Sequence, residues 1–263
     1  MAEATSGDAV LIEQQGDVTV LRLNDPKTMN AVTEEVGQTL RRALEAAGQS
    51  SRAVVLAGGE RAFSSGAKLS ADSGMVERGG DIGASLERTF NPLMRAIRDL
   101  PIPVVTAVRG AAAGVGASLA MAGDIIVAGR SAYFLEAFAR IGLVPDGGAT
   151  WMLTRAVGRV RAMEMMLLAE KIPAETAHQW GLVTRVVEDD TVDEVAVALA
   201  TRLAAGPSTA LGLIRRAAWA ACETTFDEAL ARERANQREA GHHPDFAEGL
   251  AAFQAKRAAK FGA

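Results

Sequence analysis

From Asp17 to Leu23 apolar and polar positions alternate with the period of a strand, and Asn24-Asp25-Pro26-Lys27 breaks the alternation with turn residues. The period then lengthens to that of a helix. Val36, Leu40, Ala43, Leu44 and Ala47 share one face, Thr33 stands ahead of them as an N-cap, Glu34 and Glu35 fill the first turn, and Gly48 marks the expected end. Strand-like runs recur at Val54–Ala57, Val104–Val108, Ile125–Ala128 and Leu182–Val187, with helical patterns between most of them, which predicts an α/β fold. Beyond about Asp193 the strand signals stop. Helices are expected from Pro207-Ser208, with Leu211, Ile214 and Ala218 on one face, then around Phe226 and Leu230, and finally through Phe253. The pattern thus divides the chain into an α/β body, residues 1–200, and a helical tail, residues 201–263, suited either to covering its own core or to an oligomer contact.

Two turns rich in small residues carry the candidate chemistry. Phe63-Ser64-Ser65-Gly66-Ala67-Lys68-Leu69 follows the run Ala53–Ala57, and Arg109-Gly110-Ala111-Ala112-Ala113-Gly114-Val115-Gly116-Ala117-Ser118 follows Pro103–Val108, so each reads as strand, turn and helix start. Small side chains let a ligand oxygen approach the backbone, where unpaired N–H groups can donate to it. Convergence of the two turns would make an oxyanion hole. Further on, Gly142-Leu143-Val144-Pro145-Asp146-Gly147-Gly148 sets a lone carboxylate in apolar surroundings, fit either to cap the helix expected near Ala149 or to move protons at neutral pH. Glu136, in Tyr133-Phe134-Leu135-Glu136, is the nearest alternative acid and is expected to be exposed or structural.

Composition narrows the possibilities. Of 263 residues 49% are hydrophobic and 23% charged, which excludes a disordered chain, and a formal net charge of -4 gives no general attraction to nucleic acid. The acidic start lacks an apolar signal segment and no apolar run reaches about 18 residues, so a cytoplasmic protein without a membrane span is expected. Cys222 is the sole cysteine, which rules out an internal disulfide or a thiolate metal cluster, and it is expected to pack on a helix. Phosphate-loop, zinc-helix, Cys-x-x-Cys and dinucleotide fingerprints are missing, so no metal or nucleotide cofactor is expected. Ser118 lacks a nucleophile-elbow context, and His178, His242 and His243 lack one that would make them its base.

Taken in order, these segments resemble the enoyl-CoA hydratase/isomerase, or crotonase, family over nearly the whole chain. Leu23-Asn24-Asp25-Pro26-Lys27-Thr28-Met29-Asn30-Ala31 is similar to its first strand and turn, Phe63–Ala67 and Ala107–Ile125 to its two oxyanion segments, and Ala174–Val183 to its element ending in Trp180-Gly181-Leu182-Val183. The resemblance implies a spiral of ββα units with a C-terminal helical region that assembles trimers or hexamers, and an acyl-CoA thioester as substrate, with no separate cofactor. It implies that the N–H groups of Ala67 and Val115 hold the thioester oxygen, and that Lys27, Ser65, Ala67, Lys68, Leu69 and Gly114 line the substrate channel. Phe253 and Lys256 match positions that reach a neighbouring subunit's CoA. Ser118 and Phe138 stand where the family's hydratases carry glutamates. Asp146 matches the acid of its double-bond isomerases, and the stretches Ala137–Arg140 and Trp151–Leu153 most resemble 1,2-epoxyphenylacetyl-CoA isomerase-like members. Lys68 replaces the carboxylate usual at its position. An acyl-CoA isomerase working through Asp146 is therefore expected. The alternatives are a hydratase using Glu136, an Asp146 nucleophile as in the family's aryl-CoA dehalogenases, and a non-catalytic acyl-CoA-binding protein.

Overall fold

The structure, a computed structural model, describes residues 9–68 and 81–262. In chain order β1 (Val10–Gln15) and β2 (Val18–Leu23) lead to α1 (Glu34–Ser50), β3 (Ala53–Ala57) and β4 (Ala62–Ser64). A π-helical turn, Leu86–Phe90, runs into α2 (Asn91–Asp99), followed by β5 (Val104–Val108), β6 (Ala111–Ala113) and α3 (Val115–Met121). Next come β7 (Ile125–Gly129), β8 (Tyr133–Leu135), α4 (Ala149–Ala156), α5 (Arg159–Leu168), β9 (Ile172–Pro173), α6 (Ala174–Gln179) and β10 (Arg185–Val187). Four helices finish the described chain: α7 (Val192–Ala204), α8 (Ser208–Ala221), α9 (Phe226–His242) and α10 (Pro244–Gln254).

The strands form two sheets, ordered β1-β2-β3-β5-β7-β10 and β4-β6-β8-β9. Pairing is antiparallel for β1/β2 and β8/β9 and parallel elsewhere. A long strand of the first sheet is each time followed by a short strand of the second, as β3 by β4, β5 by β6 and β7 by β8, so every pass advances one position in both sheets. That is the spiral of ββα units the resemblance implies. Both faces of the large sheet are covered, and its strands are accordingly near-continuous apolar runs. Val18, Val20, Val55, Val105 and Val127 pack on α7 through Val192, Ala196, Ala200 and Ala204, while Leu21, Leu23, Val54, Leu56 and Val104 join the larger core beneath α1 and α2.

Several expectations are corrected here. The helix from Thr33 does begin with that residue, whose Oγ1 accepts from the Val36 N–H at 3.1 Å, but it runs through Gly48 to Ser50. Gly48 answers to packing: a Cβ there would stand 3.1 Å from Leu100 Cδ1 and 3.3 Å from Pro101 Cδ. The strand expected from Leu182 begins only at Arg185, because Gly181 (φ +86°) turns the chain back and the Leu182 N–H donates to Ala177 at the end of α6. Both small-residue turns are preceded by an additional short strand, β4 or β6. Leu211, Ile214 and Ala218 are not the buried face of α8, whose interior residues are Gly212, Leu213 and Arg215, and Ile214 is 64% exposed. Cys222, expected to pack, is exposed just past α8. Among the described residues no single helix is long and apolar enough to cross a membrane.

The helix α8 is anchored by one buried guanidinium. Arg215 donates through Nε to Asp124 Oδ2 at 2.6 Å, through Nη1 to the carbonyls of Arg98 and Leu100 at 2.6 and 2.8 Å, and through Nη2 to that of Ile97. These acceptors include carbonyls at the C-terminal end of α2, and Asp124 in turn accepts from the Val104 N–H at 2.8 Å. Burial pushes the Asp124 pKa up against the pull of Arg215, so the carboxylate depends on its partner. Arg215→Met is expected to lower stability by about 3–5 kcal/mol, the scale for stranding one member of a buried pair. Equilibrium denaturation checks this, and Arg215→Lys should rescue little because one ammonium cannot reach four acceptors in a plane.

Candidate active site

The parallel register of β4, β6 and β8 brings the C-terminal ends of three short strands side by side, the edge at which α/β sheets present ligand sites. Gly66-Ala67 leaves β4 and Gly114-Val115 leaves β6, so the two turns become neighbours. A Cβ on Gly66 (φ +98°) would lie 2.8 Å from the Ala113 carbonyl oxygen and 3.7 Å from Gly114 Cα, and one on Gly114 (φ +53°) would lie 3.9 Å from Gly66 Cα. Only glycine allows this approach at these angles. Beside it, the Val32 N–H donates to the Gly66 carbonyl at 2.8 Å and the Lys68 N–H to the Val32 carbonyl at 3.1 Å, leaving the Ala67 N–H between them without an acceptor among the described residues. Val115 is the first residue of α3, where the helical ladder also leaves the N–H unused. Two free donors thus border one cavity of about 950 Å³.

A brace behind the first turn escaped sequence reasoning. The buried Asn30 donates through Nδ2 to the Ala62 carbonyl at 2.8 Å, accepts from the Asp25 N–H at 2.7 Å, and through its own carbonyl accepts from Ser64 Oγ at 2.8 Å. Ser65 Oγ donates to the Thr28 carbonyl at 2.8 Å. Met29 and Asn30 both take left-handed angles (φ +55° and +59°) to make these bonds, and the legible signal was an asparagine in a turn tolerant of that conformation.

Asp146 lines the same cavity as the two donors. It does not cap α4, whose N-cap position is Gly148, and its side chain makes no cap bond. Its carbonyl accepts from Ser118 Oγ at 3.0 Å, fastening the turn to α3, while its Oδ1 is buried without a hydrogen-bond partner. A Cβ on Gly147 would stand 2.8 Å from Ser118 Cβ and 3.2 Å from Val115 Cγ2, so glycine lets the carboxylate turn sit against the start of α3. Burial raises the Asp146 pKa to about 6. Of the two alternatives expected for Glu136, exposed or structural, the first does not hold. Coming directly after β8 it is 1% exposed, neither carboxyl oxygen has a partner, and burial together with the charge of Asp146 pushes its pKa up to about 8.

Of the expected site residues, Ser65, Ala67, Lys68, Gly114, Val115 and Asp146 line this one cavity. Lys27, Phe253 and Lys256 are exposed and line other parts of the surface. Leu69 lies outside the described residues. The cavity wall has apolar side chains in Leu86, Phe90, Phe138 and Leu143, and Glu34 at its edge is paired with Arg88 at 2.8 Å. His178 bonds the Val183 carbonyl at 2.8 Å, and His243 caps α10; neither approaches the cavity.

The enoyl-CoA hydratase/isomerase family model matches residues 13–263. The chain belongs to this family. It is 42% identical to 1,2-epoxyphenylacetyl-CoA isomerase of Escherichia coli (strain K12) over 96% of this chain and 97% of that protein, and 34% identical to the 2,3-dehydroadipyl-CoA hydratase of the same organism over 96% and 98%. The crystal structure of an enoyl-CoA hydratase from Polaromonas sp. JS666 superposes with a TM-score of 0.92 at 33% identity, covering 97% of this chain and all of that one (100%). In this member of the enoyl-CoA hydratase/isomerase family Ser118 is wholly buried and spent on holding the Asp146 turn, and Phe138 places its ring beside Gly114.

The contact between the turns is directly testable. Gly66→Ala adds both a strained φ and a clash with backbone and is expected to cost about 1–3 kcal/mol or more. Gly142→Ala, at φ +72° with open space around it, carries the strain alone and should cost less in the same denaturation experiment.

Proposed function

We propose that the chain is an acyl-CoA isomerase in which Asp146 takes a proton from a carbon conjugated with the thioester carbonyl and returns it to another carbon. As the C–H bond breaks, its electron pair moves through the conjugated system onto the thioester oxygen, which accepts from the Ala67 and Val115 N–H groups. The enolate then collapses as the protonated Asp146 gives the same proton back, relocating the double bond with no change of mass. Preorganised donors aimed at developing negative charge supply much of such catalysis. One observation carries this reading: Asp146 lines the same cavity as both donors, half-buried, with one buried oxygen that has no hydrogen-bond partner and a pKa raised to about 6.

A hydratase needs a second acid or base at the cavity wall to activate and split water. Ser118 and Phe138 cannot do so, and Glu136 lies behind the wall. The relatives' names support acyl-CoA chemistry in the coarse sense and include both reactions. The apolar wall suits a hydrophobic acyl group, and the likeness to the epoxyphenylacetyl-CoA isomerase supports a phenylacetyl-derived one. In the same reading Lys27 and Lys68, with Lys256 from an adjoining subunit, meet the CoA phosphates, and residues 201–263 join a cytoplasmic homotrimer or hexamer. Exposed Ile214, Phe226 and Phe253 support that assembly role.

Asp146→Asn keeps the shape of the turn and removes the base. It is expected to fold, to bind acyl-CoA, and to lose roughly 10²-fold or more of turnover. Ser118→Ala should be far milder. Because Asp146 must be ionised to act, the wild-type rate should climb as pH rises through about 6. Near-full activity in the asparagine variant, or a loss explained by stability alone, would refute the isomerase reading.

A further inference from the structure

Glu136 is the least expected group in the molecule. Three carboxyl oxygens are buried without hydrogen-bond partners around this site, both of Glu136 and Oδ1 of Asp146, in a region otherwise built from alanine, glycine and phenylalanine. A fully buried carboxylate with neither cation nor donor is among the costliest arrangements a protein can hold, and the ordinary resolution is to keep the proton. The position is also close to the chemistry, since the carbonyl of the preceding residue, Leu135, accepts the Gly114 N–H at 2.9 Å and so fixes the second oxyanion turn.

Among the described residues no other charge is placed to stabilise Glu136 as an anion. Neighbouring β6 and α3 contribute only alanine, glycine, serine and larger apolar side chains. Next to β9, Lys171 lies over the Tyr133 ring at 4.3 Å. On α6, Glu175 pairs with Arg130 at 2.6 Å and His178 is bound to the Val183 carbonyl. Arg140, in the turn that follows Glu136, donates to the Ala169 carbonyl, and on α5 Arg161 lies over the Trp180 ring at 5.3 Å while Arg159 and Glu164 are exposed. Asp146 is the charge that Glu136 feels.

We propose that Glu136 is a positioning residue that stays protonated behind Asp146, so that the two carboxyls form a pair carrying one negative charge, placed on the member that faces the cavity. This rests on Asp146 being the base. Burial separates the two acids, Asp146 ionising near 6 and Glu136 near 8, and between those values the cavity-facing group is the base and the hidden one the acid. When Asp146 takes a proton from substrate, the pair becomes neutral, and the enolate on the two N–H groups is the single anion in the site. Above about pH 8 a second carboxylate would oppose that enolate, and turnover should fall.

The test is infrared difference spectroscopy of the whole protein, following the carbonyl stretch of a protonated carboxylic acid as pH is varied. At pH 7 the wild type is expected to show this band, to keep it in Asp146→Asn and to lose it in Glu136→Gln. In Asp146→Asn the band should be lost at a lower pH than in the wild type, its midpoint moving down because the repelling charge is gone. The rate profile supplies a second readout: the fall above about pH 8 should be present in the wild type and absent in Glu136→Gln. A wild-type spectrum without a protonated carboxyl at pH 7 would overturn the proposal without requiring any variant to fold. So would a band that survives Glu136→Gln but vanishes in Asp146→Asn, or unchanged alkaline limbs in the two rate profiles. These outcomes are separable from failure of the isomerase reading, which is decided by the turnover of Asp146→Asn while the infrared band still reports Glu136.

Discussion

The site depends on the parallel pairing of three very short strands. β4, β6 and β8 have 3 residues each, and their shared direction makes the three C-terminal ends emerge together. One strand end supplies the turn with Ala67, the next the turn with Val115, and the third leads into Glu136 and on toward Asp146. Because each short strand continues from a long neighbour in the large sheet, the register of β3, β5 and β7 is transmitted to the donors. The glycines then permit the last approach: side chains on Gly66 or Gly147 would hold apart the surfaces the sheet has brought together.

Much of the architecture was legible because strong periodicity governs it. The helix from Thr33 shows its period plainly and the strands at Val54, Val104 and Ile125 are continuous apolar runs, and the small-residue turns and Asp146 were visible as departures from that pattern. The second sheet was not, since strands of two or three residues such as Tyr133–Leu135 are too short to display a period. For the same reason Glu136 read as an edge residue; its burial follows from pairing between β6 and β8, a contact distant in sequence. The edge strand β1 was hidden by Glu13-Gln14-Gln15, whose polar run faces solvent. Asn30 was hidden differently: its bonds to Ala62 and Ser64 cross more than thirty positions (|i−j| 32 and 34).

In the tail, periodicity located helices but misassigned faces. Ile214 and Phe226 are apolar and lie outward, while Arg215, a charged residue, is the side chain that enters the body. A guanidinium can do this because its planar fork satisfies several carbonyls and a carboxylate together. The same electrostatic logic has the opposite result at Glu136, where no donor is available and the proton must serve instead. One buried charge is thereby paired, and the other is extinguished.

Isomerisation and hydration leave different atoms in the product, and mass analysis of that product from water enriched in heavy oxygen distinguishes them most directly. The protein would be supplied with a panel of aliphatic and aryl-acetyl enoyl-CoA thioesters. An isomerase relying on Asp146 as its proton carrier must give a product of the substrate's own mass, with no labelled oxygen incorporated. A product heavier by one labelled water would contradict it.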